Sequence, residues 1–306
     1  MNFADKVQTS IVSQVKTLIG KDGYLFLTND SGKELEVHCN NLNLVSDLTL
    51  ARYRTLKNFL LIVFPNKSLL YKQFLPDNFN AQYRPALDIY QNVLGNKIVD
   101  TYDVLKSEPD TYYKTDSHIN VKGSYMVYRY FISKLRDIFG LDICPREIML
   151  HSKVCALSQF QYGLGDLLWS TNLGSQTVED ADNLDTFYDS NDFSYLYSKY
   201  IISNSENIRI LNKTCLSDIT ESLEGSILSW AVLSEHLLYK RNIKENNLVA
   251  KGKVLIFYDS FLIPLMDLYL SMFEEVYMSK SVFTADMIKL INPDYVFEFR
   301  VERFLF

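Results

Sequence analysis

Apolar positions along this chain fall into two patterns. Uninterrupted blocks at residues 60–64 and 254–258 have the length and side-chain type of strands buried on both faces. Pro65 ends the first block, and an Asp-Ser pair ends the second. Elsewhere, apolar residues recur at spacings of three and four. That spacing predicts helices over 49–61, 81–93, 261–273 and 284–291, and one reaching about residue 139 with Tyr125, Tyr128, Phe131, Ile132 and Leu135 inward. Shorter strands are predicted around 98–102, 275–279 and 295–300. Strand and helix alternate, which is the order of a parallel α/β fold, most regularly in the β-α-β-α-β run that closes the chain.

The N-terminal part adds an amphipathic helix over 1–19, with Phe3, Val7, Ile11, Val15 and Leu18 on one side. A turn then enters a strand at 20–27 that presents Tyr24 and Phe26 on one face. Residues 151–250 lose the regular pattern. They are read as an insertion or subdomain, with helical stretches near 226–241, within a single domain of residues 1–306.

Composition narrows the function. The chain has 306 residues, 47% hydrophobic and 22% charged, with a formal net charge of -6, enough for a large core in a mildly acidic globular protein. No basic stripe interleaved with aromatics is present, which argues against a nucleic-acid surface. No window approaches the ~18 uninterrupted apolar residues of a membrane span, and residues 1–19 lack the apolar core of a signal peptide, so the expected location is cytoplasmic. Cys39, Cys144, Cys155 and Cys215 lie far apart with no C-x-x-C pair, so no metal site is expected and reduced thiols are. Residues 163–169 carry too few glycines for a phosphate loop. The stretch 176–193 has six acids and no Lys or Arg, and is read as an acidic loop in preference to a sugar-stacking lid or a metal site.

Two stretches carry candidate chemistry. Where strand 254–258 gives way to a helix, Ser260 would stand at the carboxyl end of a parallel sheet and at a helix N-terminus, with N–H groups aimed at any anion formed beside it. Asp-Ser before an apolar run is also an ordinary N-cap, and a serine hydroxyl needs a base to become a nucleophile. The second stretch supplies one candidate. Asp116 and His118 are two apart in a segment just before a helix, and in extended backbone residues i and i+2 point the same way. Alone, Asp-x-His also fits a surface or capping role. His38, His151 and His236 have no acid at a comparable spacing and are read as structural.

Taken in order, several blocks resemble the alginate O-acetyltransferase (AlgJ/AlgX) type of SGNH-hydrolase-like protein. They are Gly20-Lys-Asp-Gly-Tyr-Leu-Phe-Leu27; Pro65 and Lys67 with Tyr71 and Pro76; Tyr112-Tyr-Lys-Thr-Asp-Ser-His-Ile-Asn120 with Gly123; Gly165-Asp-Leu167; Asp259-Ser-Phe261; and Asn292-Pro-Asp294 with Glu302-Arg303. The resemblance spans most of the chain. It implies a flavodoxin-like (SGNH-like) three-layer α/β/α sandwich with a mainly parallel sheet, and a Ser-His-Asp triad at Ser260, His118 and Asp116, in that family's permuted order of acid and histidine before serine. Tyr258 stands where the family usually has glycine, and Ile119 where it often has tryptophan. Tyr258, Lys67 and Arg303 are the expected oxyanion or substrate-binding positions, with structural ion pairs as the other reading of the two cations.

The function implied is O-acetyl transfer through an acyl-serine to a sugar hydroxyl of a surface or capsular glycan or its precursor. No bound cofactor is expected. Acetyl-CoA is the expected donor for a cytoplasmic enzyme, with a carbohydrate acceptor and a glycosyltransferase or capsule-assembly protein as partner. The same triad with water as acceptor would make a carbohydrate acetylesterase. A catalytically inactive glycan-binding or scaffolding module is the third reading.

Overall fold

The computed structural model describes residues 17–145 apart from 55 and 115, residues 167, 209–210 and 237–241, and residues 250–305. The rest of the expected N-terminal helix, the acidic stretch 176–193 and residues 163–166 lie outside the described residues.

The described chain forms a mixed sheet with helices on both faces. A hairpin of β1 (Thr17–Ile19) and β2 (Leu25–Leu27) precedes it. The sheet takes its strands from β3 (Phe59–Phe64), β4 (Ile98–Asp100), β5 (Arg209–Ile210), β6 (Leu237–Arg241), β7 (Ala250–Tyr258), β8 (Phe273–Ser279) and β9 (Tyr295–Val301). Their spatial order is β4-β3-β9-β7-β8-β6-β5. All pairings from β4 to β8 are parallel, and β6 and β5 extend the sheet antiparallel.

Period-two alternation along the central strands sorts the core into two layers. Leu60, Ile62, Phe64, Val254, Ile256, Tyr258, Phe297, Phe299 and Val301 face one side. They pack there under α6 (Val121–Phe139), whose Tyr128, Phe131, Ile132 and Leu135 point inward at the predicted spacing. Phe59, Leu61, Val63, Leu255, Phe257 and Val296 face the other side, against α2 (Asp47–Arg54), α4 (Pro85–Leu94) and α8 (Ala285–Ile291). The result is the three-layer α/β/α sandwich with a mainly parallel sheet. Along its carboxyl edge run α1 (Glu34–Asn40), α3 (Lys67–Leu70), α5 (Tyr102–Lys106) and the hairpin; α7 (Met266–Leu270) follows β7.

Several elements depart from the sequence reading for identifiable reasons. Residues 17–19 are a strand instead of a helix end, because Thr17, Leu18 and Ile19 pair with Leu27, Phe26 and Leu25 across the Gly20–Tyr24 turn. The helix expected to reach residue 61 stops at Arg54, since Phe59 already belongs to the β3 ladder opposite Val296. Beyond Ser260 the backbone is a 3-10 turn over Ser260–Leu265, with Pro264 unable to donate an N–H, before α7 begins. Residues 237–241, expected to be helical, form β6 on the open edge of β8, in register from Leu237↔Ser279 to Arg241↔Glu275. The segment read as an insertion therefore contributes sheet edge to the main fold.

The core buries many tyrosines, and this sets a limit on alkaline stability. Burial pushes the hydroxyls of Tyr90 and Tyr258 up to about 12. Unfolded tyrosine ionises near pH 10. Above that pH the unfolded chain loses protons that the folded chain keeps, so stability is complete below about pH 10 and falls through about pH 12. Denaturant midpoints should hold steady between pH 8 and about 9.5 and then decline.

Candidate active site

The carboxyl end of β7 presents the serine. Asp259, in extended backbone, is the N-cap of the following turn: its Oδ1 accepts the Phe261 N–H at 2.9 Å, and its Oδ2 accepts the Val301 N–H at 2.7 Å. One buried carboxylate thus ties the turn after β7 to the end of neighbouring β9. The capping role foreseen for Asp-Ser belongs to Asp259, which leaves the Ser260 hydroxyl for other work.

That hydroxyl meets the histidine. Ser260 Oγ lies 2.7 Å from His118 Nε2, and His118 Nδ1 lies 2.6 Å from Asp116 Oδ1. Asp116 Oδ1 also accepts the His118 backbone N–H at 2.8 Å, so one oxygen sets both backbone and ring. With Nδ1–H donated to the carboxylate, Nε2 is left as acceptor for the serine proton. The ring of Phe261 flanks the imidazole, with centroids 5.0 Å apart. The side chains of His118 and Asp116 are 25% and 22% exposed, so the site is reached from solvent.

Local structure explains why a loop holds the histidine so firmly. Tyr112 and Ile119 form a bridge, Asn120 N–H donates to Thr111 O at 3.0 Å, and Tyr113 N–H donates to His118 O at 3.3 Å. Asn120 caps α6 by accepting the Gly123 N–H at 2.9 Å and donates to Asp110 O at 2.6 Å. Tyr71 accepts the Thr111 N–H at 2.7 Å, and the Tyr112 hydroxyl donates to Pro65 O, pinning the loop to the end of β3. Gly123 allows this closeness. A Cβ there would stand 2.4 Å from Thr111 O and 2.7 Å from Ile119 Cγ1. Gly123→Ala should therefore cost about 1–3 kcal/mol in chemical denaturation, as overpacked sites do, and lower activity by tilting the loop.

The other expected positions play different parts. Lys67 is 2% exposed, and its ammonium donates to Leu25 O (2.8 Å), Lys114 O (2.7 Å) and Asp116 O (3.0 Å). It lies to one side of the Tyr24 and Phe26 rings, 5.6 and 5.5 Å from their centroids. Its charge is spent clamping the Asp116 loop to β2 and is not presented to a substrate. Arg303 is buried as well: its Nη1 donates to Asn66 Oδ1 at 3.2 Å and Glu34 Oε2 at 3.3 Å, and its guanidinium lies 5.2 Å above the Phe261 ring. The Tyr258 ring is 4% exposed and packs in the core under α6, so it forms part of the wall and does not reach over the serine as a ligand.

Sequence reasoning missed the polar support behind Arg303. His38 Nδ1 donates to Tyr83 O at 2.7 Å, and its Nε2 accepts from Asn66 Nδ2 at 2.6 Å; Glu34 accepts the Ser68 hydroxyl at 2.6 Å. Burial pushes the Glu34 carboxyl above the usual range, against the pull of Arg303 and Ser68. Asn66 follows a fully buried strand and Pro65, at the sheet edge where parallel α/β folds place ligands, and that position was the available signal.

No protein-family model matches the chain, and no curated protein sequence matches it. Among solved structures it is similar to Bacillus cereus PatB1, described with a sulfonyl adduct, at 13% identity and a TM-score of 0.53, over 96% of this chain and 97% of that one. It is also similar to the O-acetyltransferase domain of Pseudomonas putida AlgJ, at 13% identity and a TM-score of 0.51, over 95% of this chain and 92% of that one. At these identities the likeness is one of fold, and it is the fold that the resemblance to the AlgJ type implied.

Proposed function

We propose that this chain is a serine-dependent O-acetyltransferase that moves an acetyl group through acyl-Ser260 to a sugar hydroxyl of a surface or capsular glycan or its precursor. The observation that carries this reading is the Asp116–His118–Ser260 relay, with contacts of 2.6 and 2.7 Å. Both lie inside the ~2.6–3.2 Å reach that a base needs, which speaks against an inactive module. In the first half-reaction His118 Nε2 takes the serine proton as Oγ attacks the acetyl carbonyl. His118 then returns that proton to the departing donor. In the second, His118 takes the proton of the acceptor hydroxyl, whose oxygen attacks the acetyl-serine, and Ser260 recovers its hydrogen.

Asp116 holds the imidazole in the tautomer both steps require and stabilises its charged form. The Ser260 N–H, first in its 3-10 turn, is the oxyanion donor we assign, because the next two amides donate to Asp259. The two solved neighbours support the reading: one is named as an O-acetyltransferase domain, and the other carries a sulfonyl adduct. Among the described residues no helix is long and apolar enough to cross a membrane. Acetyl-CoA is the donor to offer first.

Acetyl transfer is tested by incubating the protein with acetyl-CoA or an aryl acetate and a panel of glycans, then weighing protein and products by mass spectrometry. An acetyl adduct on Ser260 and an acetylated sugar are expected. Acetate release with no acetylated sugar would make the protein an esterase.

A further inference from the structure

Behind the triad runs a chain of side-chain hydrogen bonds whose direction is set by one histidine. His38, on α1, is 1% exposed, so a substrate does not reach it. Its Nδ1 lies 2.7 Å from the Tyr83 carbonyl oxygen, which can only accept, so Nδ1 carries the proton. In the neutral ring Nε2 is then an acceptor. The atom 2.6 Å from it must donate, which makes it the Asn66 amino nitrogen. The Asn66 carbonyl oxygen consequently turns the other way, where Arg303 Nη1 donates to it at 3.2 Å. Asn66 is fully buried, so neither end of its amide has water as a substitute partner.

The opposite arrangement fails on the same atoms. With Nε2 protonated, its N–H would face the Asn66 amino group; with the amide turned over as well, that amino group would face the Arg303 guanidinium. Donor meets donor in either case. The tautomer of His38 thus selects the orientation of the amide, and the amide decides whether Arg303 is held.

Two paths lead from Asn66 to the catalytic base. The Arg303 guanidinium, also bound by Glu34 Oε2 at 3.3 Å, lies 5.2 Å over Phe261, and that ring stands 5.0 Å from the imidazole of His118. Pro65, the residue before Asn66, accepts the Tyr112 hydroxyl. Tyr112 meets Phe261 edge-on at 6.1 Å and bridges to Ile119, the neighbour of His118. A loosened Asn66 would free both the ring that flanks the base and the loop that carries it, and a misplacement of ~1 Å at such groups can cost about 10²-fold in rate.

We propose that His38, held as its Nδ1–H tautomer, is a positioning residue for acyl transfer: through Asn66 it fixes Arg303 and Phe261 against His118. The inference rests on the acyl-transfer reading of Ser260 and extends that machinery to a residue of α1 which the substrate never touches.

Long-range proton–nitrogen NMR spectra of the full chain read the tautomer, with His38→Gln identifying the signals of that ring. His38 should be protonated at Nδ1 and bare at Nε2. His38→Leu, which keeps the bulk and removes the acceptor, should lower kcat for a small aryl acetate by about tenfold or more with KM within about twofold, and should move the His118 Nδ1–H resonance. His38→Gln offers an amide oxygen to Asn66 and should restore the rate to within about threefold, with the resonance near its native place. A histidine kept for packing alone would give the reverse order, with leucine the better substitute. Asn66→Ser cuts the same link without added bulk and stands in for His38→Leu should that variant not fold. A native ring protonated at Nε2, a His38→Leu enzyme with native kcat and an unmoved His118 resonance, or a glutamine variant no better than the leucine one would overturn the proposal. If the native protein cleaves no ester while the His118 resonance moves in His38→Leu and not in His38→Gln, the acyl-transfer reading falls and the positioning chain stands.

Discussion

Ser260→Ala is expected to lower acetyl transfer and aryl ester hydrolysis by roughly three orders of magnitude or more, with the melting temperature held within about 2 °C. The Ser260 hydroxyl meets the His118 ring, whereas the turn that carries it is held by Asp259 through the Phe261 and Val301 amides. Removing one oxygen therefore deletes the nucleophile and spares the scaffold. His118→Ala should match it, because the two act as one unit, and the double variant should be little worse than either single one. Asp116→Asn is the informative companion. It keeps the shape but offers an amide where Nδ1–H needs an acceptor, and a loss of roughly 10⁴-fold is expected from the wrong tautomer. Steady-state kinetics with a small acetate ester and a thermal melt of each variant suffice. Native-like turnover by Ser260→Ala would remove the acyl-serine mechanism.

What the sequence disclosed follows from the range of the forces involved. The β7 block at 254–258 and the inward face of α6 were legible because burial imposes a local period: 2 or none on a strand, 3.6 on a helix. Short elements carry less than one period. Thr17–Ile19 read as a helix end because three residues cannot display alternation, and Leu237–Arg241 became a strand through the open edge of β8, which lies far along the chain. The 142-residue separation of His118 and Ser260 is likewise invisible to any local pattern. Those residues could be joined on paper because each sat beside a recognisable junction between loop or strand and helix, and because the order of blocks resembled a known arrangement. Asn66 stood at such a junction, between β3 and α3, but its partners His38, Glu34 and Arg303 could not be read from it. Their pairings span 28 to 269 residues, and buried polar networks of this kind exist only once the layers have closed.

Lys67 shows how charge in a sequence misleads without burial. The resemblance put Lys67 among the oxyanion or substrate-binding positions, with a structural ion pair as the other reading, but its ammonium donates to three backbone carbonyls. The two roles predict opposite results for Lys67→Met, which keeps the length and apolar stem of the side chain and deletes the donors. As a clamp, its loss leaves buried carbonyls short of partners and frees the Asp116 loop from β2. Stability should fall by about 2–5 kcal/mol, since each unpaired buried group costs roughly 1–3 kcal/mol and the costs within one cluster do not simply add. Turnover should fall with it, because the Asp116 carboxylate orients the imidazole and Asp116 is one of the residues that the ammonium holds. The loss should appear in kcat for even the smallest ester, with KM little changed. As a substrate ligand, Lys67→Met would leave the melting temperature alone and raise KM for the donor or the acceptor. Lys67→Arg separates the roles further: a planar guanidinium cannot point three donors at carbonyls arranged around one nitrogen, so it should fail as a clamp even though it keeps the charge. A melt and a Michaelis curve on these two variants therefore decide whether the buried cation acts on the substrate or on the loop that carries the acid.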